Sequence, residues 1–398
     1  MGATSLPSLN TFVSLPISSI IMSSNASAHS NDTPVIRIGF VGLSSTGWAA
    51  MALAPSLLDP EVKKRFKVVA VSTTNAESAA AAVAKYSEFF GHEIKAYHGD
   101  ASQIASDPEV DLVAIAVKVP YHKEAAEKAI AAGKPFFLEY QAGRTPEETR
   151  EIARLAKEKG VRSLIGLQGR HSPAARKIGR LLSITANLLM PREFNVFTPR
   201  TQARIAFAAD KSNGISLISS PGGHVFDLFF QIFGPFSRIR AAGTILYPEV
   251  TVVDDVTFEP TGQTLTNVYP DHITINAWVT IVLRLGHKST PGRTQLLYDI
   301  DGEEGTLKIQ DDRVMGMNIG AQHPEHIYLN GEELGWDGAE DGEAYENPIP
   351  FIRDNWLEFY KGKENGGNYV DIEDAVRIRD FLGAIQTSVD EGGKWIEL

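Results

Sequence analysis

The chain of 398 residues contains no cysteine. That excludes disulfides, thiolate nucleophiles and cysteine-ligated zinc together. Its 10 histidines are scattered, with no H-E-x-x-H or comparable spacing, so no metal is expected. No G-x-S-x-G elbow marks a serine hydrolase. Positive charge is also short, and the formal net charge is -11. A chain this acidic has no general attraction for nucleic acid or for anionic membranes. If it regulates transcription, it must do so through a protein partner. Long apolar runs are missing too. The stretch from Val13 to Met22 is broken by Pro16, Ser18 and Ser19 and is too short to span a bilayer.

The first 35 residues carry no lysine or arginine. A secretory or mitochondrial leader needs basic residues. Gly2 invites N-myristoylation, but Leu6 stands where Ser or Thr is required. Residues 1–34 therefore read as a disordered tail, with Met22 an alternative start to Met1, and the protein as cytoplasmic, or nuclear if it is regulatory.

From Val35 the pattern is globular. Val35 to Gly42 is an apolar run ending in glycine, the mark of a buried parallel strand. Helical patterns at Trp48–Leu58, Ala76–Tyr86, His122–Ala132 and Pro146–Lys159 alternate with strand patterns at Phe66–Val71, Asp111–Val117, Pro135–Glu139 and Arg162–Gln168. This alternation predicts an α/β fold with a doubly wound parallel sheet of Rossmann type over 35–170. The rhythm then changes. Helices are expected at Pro173–Leu182 and His224–Phe233, strands at Ile273–Leu285, Gln295–Ile300 and Thr306–Gln310, and closing helices at Ile352–Tyr360 and Glu373–Val389. Residues 171–398 thus read as an α+β domain with a large open antiparallel sheet, whose final helices return toward the first domain. Such a sheet offers a face for a homodimer.

The first strand runs into Gly42-Leu43-Ser44-Ser45-Thr46-Gly47, a G-x-S-x-x-G variant of the dinucleotide fingerprint. Gly42 permits the tight turn, and Gly47 is expected to allow close helix–strand packing. Ser44 replaces the glycine that lets backbone approach the pyrophosphate; its hydroxyl offers a hydrogen bond instead. Ser45 lies in the same turn. The second strand ends in Ser72-Thr73-Thr74-Asn75, without the carboxylate that holds the ribose of NAD. Thr73 and Thr74 offer hydroxyls to a 2′-phosphate. The cofactor is read as NADP or NAD, leaning to NADP.

Several stretches resemble the Gfo/Idh/MocA oxidoreductases, which join a Rossmann domain to an α+β domain with an open sheet. They are Gly39 to Leu43 with Gly47-Trp48, Ala114 to Val119 with His122, Leu167 to Arg170 with Ser172-Pro173, Gly223-His224 with Asp227, and Pro270 to His272. The branch most resembled is that of the fungal galactose-pathway repressors. The resemblance implies cofactor contacts at Val117, His122 and Glu139. The family's Glu-Lys-Pro segment here reads Glu139-Tyr140-Gln141, so Tyr140 replaces the lysine. In the family's Asp, His, Asp motif, Ser220, His224 and Asp227 fall at the three places.

Hydride transfer at a carbinol needs a proton acceptor or donor on its oxygen. His224 and Tyr140 are the candidate catalytic pair, with Tyr140 a proton donor, a base where a nearby cation lowers its pKa, or a packing residue beside the nicotinamide. Asp227 is placed to orient His224 or to bind substrate. Arg170 either binds substrate or anchors the segment between the domains. Two functions follow. One is an NAD(P)-dependent oxidoreductase for a small sugar, polyol or other hydroxy or carbonyl compound. The other is a catalytically silent, dinucleotide-binding regulator acting through a protein partner.

Overall fold

The first sheet consists of β1 (Ile36–Val41), β2 (Phe66–Thr73), β3 (Lys95–His98), β4 (Leu112–Ile115), β5 (Phe136–Leu138) and β6 (Ser163–Ile165). The structure, a computed structural model, describes residues 34–169, 181–277, 279–288, 292–313, 325–334 and 349–398. The expected tail, apart from Pro34, and the expected helix over residues 173–180 lie outside them. Residues Val35–Leu398 form one compact unit.

All six strands are parallel, in the order β3-β2-β1-β4-β5-β6. Strand order reverses between β1 and β4, so a crevice opens beyond their carboxyl ends. Gly42 and Val117 stand there. The helices are α1 (Ala54–Ser56), α2 (Pro60–Lys63), α3 (Ala76–Phe90), α4 (Ser102–Ser106), α5 (His122–Ala131) and α6 (Pro146–Lys159). A wider, π-type turn at Ala49–Leu53 leads into α1. Local chemistry fixes the ends. Thr145 caps the Glu148 amide, Pro146 opens α6, and Gly160 closes it in the left-handed conformation. β3 and α4 carry too little apolar pattern to be read from sequence; the β3 side chains are mostly exposed.

The second sheet has nine strands in the order β17-β16-β15-β14-β7-β13-β12-β9-β18. Their ranges are β7 Leu181–Pro191, β9 Arg238–Thr244, β12 His272–Asn276, β13 Val279–His287, β14 Leu296–Gly302, β15 Gly305–Asp311, β16 His326–Leu329, β17 Glu332–Glu333 and β18 Ile396–Glu397. A small sheet joins β8 (Arg200–Gln202), β10 (Glu249–Val253) and β11 (Pro260–Thr266). The large sheet is mixed rather than wholly antiparallel, because β7 and β13 run parallel at its centre. The Ile273–Leu285 run is two strands, not one; β12 and β13 pair antiparallel. Leu181 and Leu182 open a strand rather than close a helix.

Helix α7 (Pro221–Phe233) lies between this sheet and α9 (Ile372–Asp390). Phe229 meets Tyr298 of β14 at 5.3 Å, and Phe226 meets Phe381 of α9 at 4.7 Å. Helix α8 (Ile349–Lys361) returns to the first sheet, where buried Trp356 packs between Phe66 and Phe137 at 5.5 and 5.0 Å. Helix α9 ties the two sheets along its length. The Ile372 amide donates to Ser163 of β6, Arg379 donates to Gln141 after β5, and Ser388 accepts from Ala241 of β9. At a rise of about 1.5 Å per residue, such a helix reaches across both cores.

Candidate functional site

Gly42 ends β1 with φ +90. A Cβ there would lie 2.5 Å from the Ala116 carbonyl oxygen and 2.7 Å from Val117 Cγ1, so only glycine fits. Gly47 is needed for another reason than close packing. A Cβ there would meet nothing within 4 Å, but its φ is +95, which L side chains rarely adopt. The Ser44 hydroxyl donates to the Thr46 carbonyl at 2.7 Å, so its donor is spent inside the turn. The turn's carbonyls are spent on α3. Ser44 O accepts from the Tyr86 hydroxyl at 2.6 Å and Ser45 O from Lys85 Nζ at 2.8 Å. Among the described residues, the amides of Ser45, Thr46 and Gly47 donate to no protein acceptor. A turn with bonded carbonyls and free amides is a seat for an anion.

At the end of β2, the Thr73 hydroxyl pairs with Ser78 at 2.7 Å. Asn75 and Ser78 form the capping box that starts α3. Thr74 alone keeps an exposed side chain with no protein partner. Neither a carboxylate nor a cation occupies that strand end.

His122 is buried beneath the site rather than facing it. Its Nδ1 lies 2.8 Å from the Gln141 carbonyl and its Nε2 2.8 Å from the Val117 carbonyl. The ring therefore clamps the loop after β4 to the loop after β5. Burial lowers its pKa, opposed by those carbonyls and by Glu148. The Glu139 carboxylate lies against Gly166, where a Cβ would be 2.5 Å from Oε1. Its Oε2 finds no partner at hydrogen-bonding geometry. Burial pushes its pKa up to about 8, weakly opposed by the Tyr140 amide and Trp48. Burial thus favours the protonated form of Glu139.

Tyr140 and His224 come together. Their rings meet edge to face at 5.4 Å, Tyr140 from the end of β5 and His224 from the first turns of α7. The helix begins at Pro221, so His224 lies within it rather than before it. Gly223 makes the meeting possible, since a Cβ there would be 2.0 Å from Tyr140 Oη. Tyr140 Oη and His224 Nδ1 are both buried with no partner at hydrogen-bonding geometry, although the Arg379 guanidinium stands close enough to Tyr140 Oη to act on it. Burial pushes the Tyr140 pKa up to about 12, against the lowering pull of Arg379, and Asp227 raises it further. Burial lowers His224 to about 4. At neutral pH the pair is a neutral phenol, able to donate, beside a neutral imidazole, able to accept. Tyr140 as a base is disfavoured, because burial outweighs the pull of Arg379. Asp227 is buried on α7 one turn beyond His224. Ser220 precedes α7 and its side chain does not cap it. Arg170 and His171 lie outside the described residues.

Arg379 was not singled out in the sequence, yet its buried guanidinium braces this cluster. Nη1 donates to Gln141 Oε1 at 2.7 Å and Nη2 to the Arg144 carbonyl at 2.8 Å. Gln141 Nε2 in turn donates to Gly214 O at 2.9 Å, which ties in the segment before α7. The signal was present. Arg379 sits on the apolar face of α9, beside Ala375, Ile378 and Leu382. Lys118, at the end of β4, lies over the Phe207 ring at 4.7 Å and links the same two regions. Asp271 is structural. It accepts from the Leu246 and Tyr247 amides at 2.8 Å each and shapes a turn of the second sheet. Among the described residues no group of acidic and histidine side chains is arranged to hold a metal.

Residues 36–167 match the oxidoreductase family with an NAD-binding Rossmann fold, Gfo/Idh/MocA, and residues 174–311 match the C-terminal domain of Gal80p. A dehydrogenase of Aspergillus oryzae, aclE, is 30% identical over 299 residues, spanning 70% of this chain and 78% of that protein. The chain belongs to the Gfo/Idh/MocA oxidoreductase family. Its first sheet is the family's NAD-binding Rossmann domain. The whole fold is similar to a super-repressor mutant of Gal80p from Saccharomyces cerevisiae, with TM-score 0.76, 21% identity, and coverage of 92% of this chain and 98% of that one. It is also similar to a levoglucosan dehydrogenase in complex with NADH and L-sorbose, with TM-score 0.69, 19% identity, and coverage of 92% and 99%. Both likenesses concern the fold. No helix of the described residues is long and apolar enough to cross a membrane.

Proposed function

We propose that this protein is an NAD(P)-dependent oxidoreductase that moves a hydride to or from a small sugar, polyol or other hydroxy or carbonyl compound. The observation that carries the reading is the pair of buried, unpartnered atoms Tyr140 Oη and His224 Nδ1 on rings 5.4 Å apart. A buried polar atom without a partner costs about 1–3 kcal/mol, so a folded protein keeps two side by side where a ligand satisfies them. A carbinol or carbonyl oxygen has the chemistry to do so. When bound, the nicotinamide supplies or takes the hydride. Tyr140 donates a hydrogen bond to a carbonyl oxygen and polarises it. Neutral His224 accepts a proton from a carbinol. Asp227 and Arg379 hold the pair in place, and Arg170 is assigned to substrate. Gly42, Ser45 and Gly47 shape the phosphate turn, Val117 and Glu139 border the nicotinamide side, and Thr73 with Thr74 borders the ribose.

We favour NADP, because no carboxylate at the end of β2 repels a 2′-phosphate. The test is oxidation of NADPH and NADH over a panel of carbonyl compounds, with His224→Ala as control. Turnover unaffected by that change would sink the assignment.

A second reading rests on a specific observation, the match of residues 174–311 to a regulator's C-terminal domain. In it the protein binds dinucleotide, turns nothing over and acts through a protein partner in the cytoplasm or nucleus. Tyr140 in place of lysine and Ser220 in place of aspartate support it. Dinucleotide binding without turnover over the whole panel selects this reading. We further propose a homodimer through the open face of the nine-stranded sheet, where Leu182 is exposed; light scattering decides it.

A further inference from the structure

We infer that Lys85 is a phosphate-binding residue of the dinucleotide site, an inference that rests on the nucleotide-binding part of the reading above. Position 85 falls in the middle of α3, outside the glycine motif and outside the end of β2, where cofactor contacts were sought. The fold nevertheless brings its side chain to the phosphate turn. Nζ lies 2.8 Å from the Ser45 carbonyl and 5.1 Å from the centre of the Tyr86 ring. Tyr86, its neighbour, reaches the preceding carbonyl of the same turn at 2.6 Å. The two consecutive residues thus fasten α3 to the turn at two points.

An ammonium has three donors, and one carbonyl engages a single one. Among the described residues Lys85 makes no ion pair, although Lys64, Lys95, Lys123 and Lys128 in the same domain each pair with a carboxylate. Lys85 is therefore an uncompensated cation held at the turn whose Ser45, Thr46 and Gly47 amides are free. Its place also answers the departure at Ser44. There the side chain takes up space at the usual glycine position and spends its own donor on Thr46. A charged donor from α3 restores what the turn lost in anion binding, at the strength of a charge-assisted hydrogen bond.

The shared chemistry is a phosphate group, supplied by the pyrophosphate of either cofactor or by the 2′-phosphate of NADPH. The experiment is calorimetric titration of the full chain and of Lys85→Gln and Lys85→Arg with NADH and with NADPH, at low and at high salt. We expect Lys85→Gln to weaken binding about tenfold and to flatten its salt dependence, and Lys85→Arg to retain affinity within a few fold. Equal losses for the two cofactors assign the pyrophosphate, and a loss confined to NADPH assigns the 2′-phosphate. Thermal melting without ligand should match wild type within experimental error. Wild-type binding matched by Lys85→Gln for both cofactors overturns the assignment and leaves the dinucleotide site standing. A wild-type chain that binds neither cofactor overturns both.

Discussion

The phosphate turn and the Tyr140–His224 cluster are both poor in partners, in opposite ways. The turn is open. The Ser44 and Ser45 carbonyls are bonded, the Ser45, Thr46 and Gly47 amides have no acceptor among the described residues, and a cation stands beside them. The cluster is closed. Burial is the largest influence holding Tyr140 and His224 in their neutral forms. The turn is set by backbone geometry, with a serine at one glycine position. The cluster's function is written in side chains and depends on what surrounds them. One sequence can therefore keep cofactor binding while its proton chemistry drifts, which explains how dehydrogenases and regulators share this architecture.

Breaking the turn should give the largest effect. Gly42→Ala places a methyl against the Ala116 carbonyl at a positive φ. We expect dinucleotide affinity to fall by about a hundredfold or more, measured by calorimetry, with the second sheet intact by circular dichroism. Breaking the brace comes next. Arg379→Met leaves Gln141 Oε1 and the Arg144 carbonyl without their donors. Urea unfolding should show a loss of about 3 kcal/mol.

Tyr140→Phe separates function from stability. The hydroxyl it removes has no partner at hydrogen-bonding geometry. We expect stability within about 1 kcal/mol of wild type and turnover down about a hundredfold. A large loss of stability instead would mean that the hydroxyl is structural.

The smallest effect is a pH dependence. Burial raises the folded pKa of Glu139 from an ordinary 4.5 to about 8. The folded chain therefore binds the proton more tightly than the unfolded one, and this contribution to stability, full below about 4.5, is lost as pH rises through about 8. Glu139→Gln should remove that loss, so its stability gain over wild type grows from pH 5 to pH 9 in chemical melts. His224 has the opposite sign. Its folded pKa is lowered to about 4, so protonation of the unfolded chain costs stability as pH falls from about 6.5 toward 4.

The first sheet was largely legible because each buried parallel strand is a short apolar run ending at a turn. β1 and β4 are near-continuous Ile, Val, Leu, Phe and Ala, and α6 carries its own cap, proline and closing glycine. The second sheet was legible only in part. From Ser183 to Met190, β7 alternates buried residues with half-buried or exposed ones, and Asn187, Thr185 and Ser183 on its outer face dilute the apolar signal. The parallel pairing of β7 with β13 is set by the topology, which no local pattern encodes. At the site, Gly42, Tyr140 and His224 were visible as motif positions. Arg379 shows only as a cation on the apolar face of α9, and Lys85 not at all, because each reaches its partner across 40 or more residues of sequence. At Gly47 the constraint is φ rather than space. A glycine pattern shows that a position is constrained, but whether φ or space imposes the constraint appears only in three dimensions.

The account's central claim is that the turn with Ser44 in place of glycine is a working dinucleotide seat. Calorimetric titration of the full chain with NADH and NADPH tests it most directly. We expect saturable 1:1 binding in the micromolar range for at least one of them, of the order of -8 kcal/mol. No heat of binding for either at millimolar cofactor would contradict it.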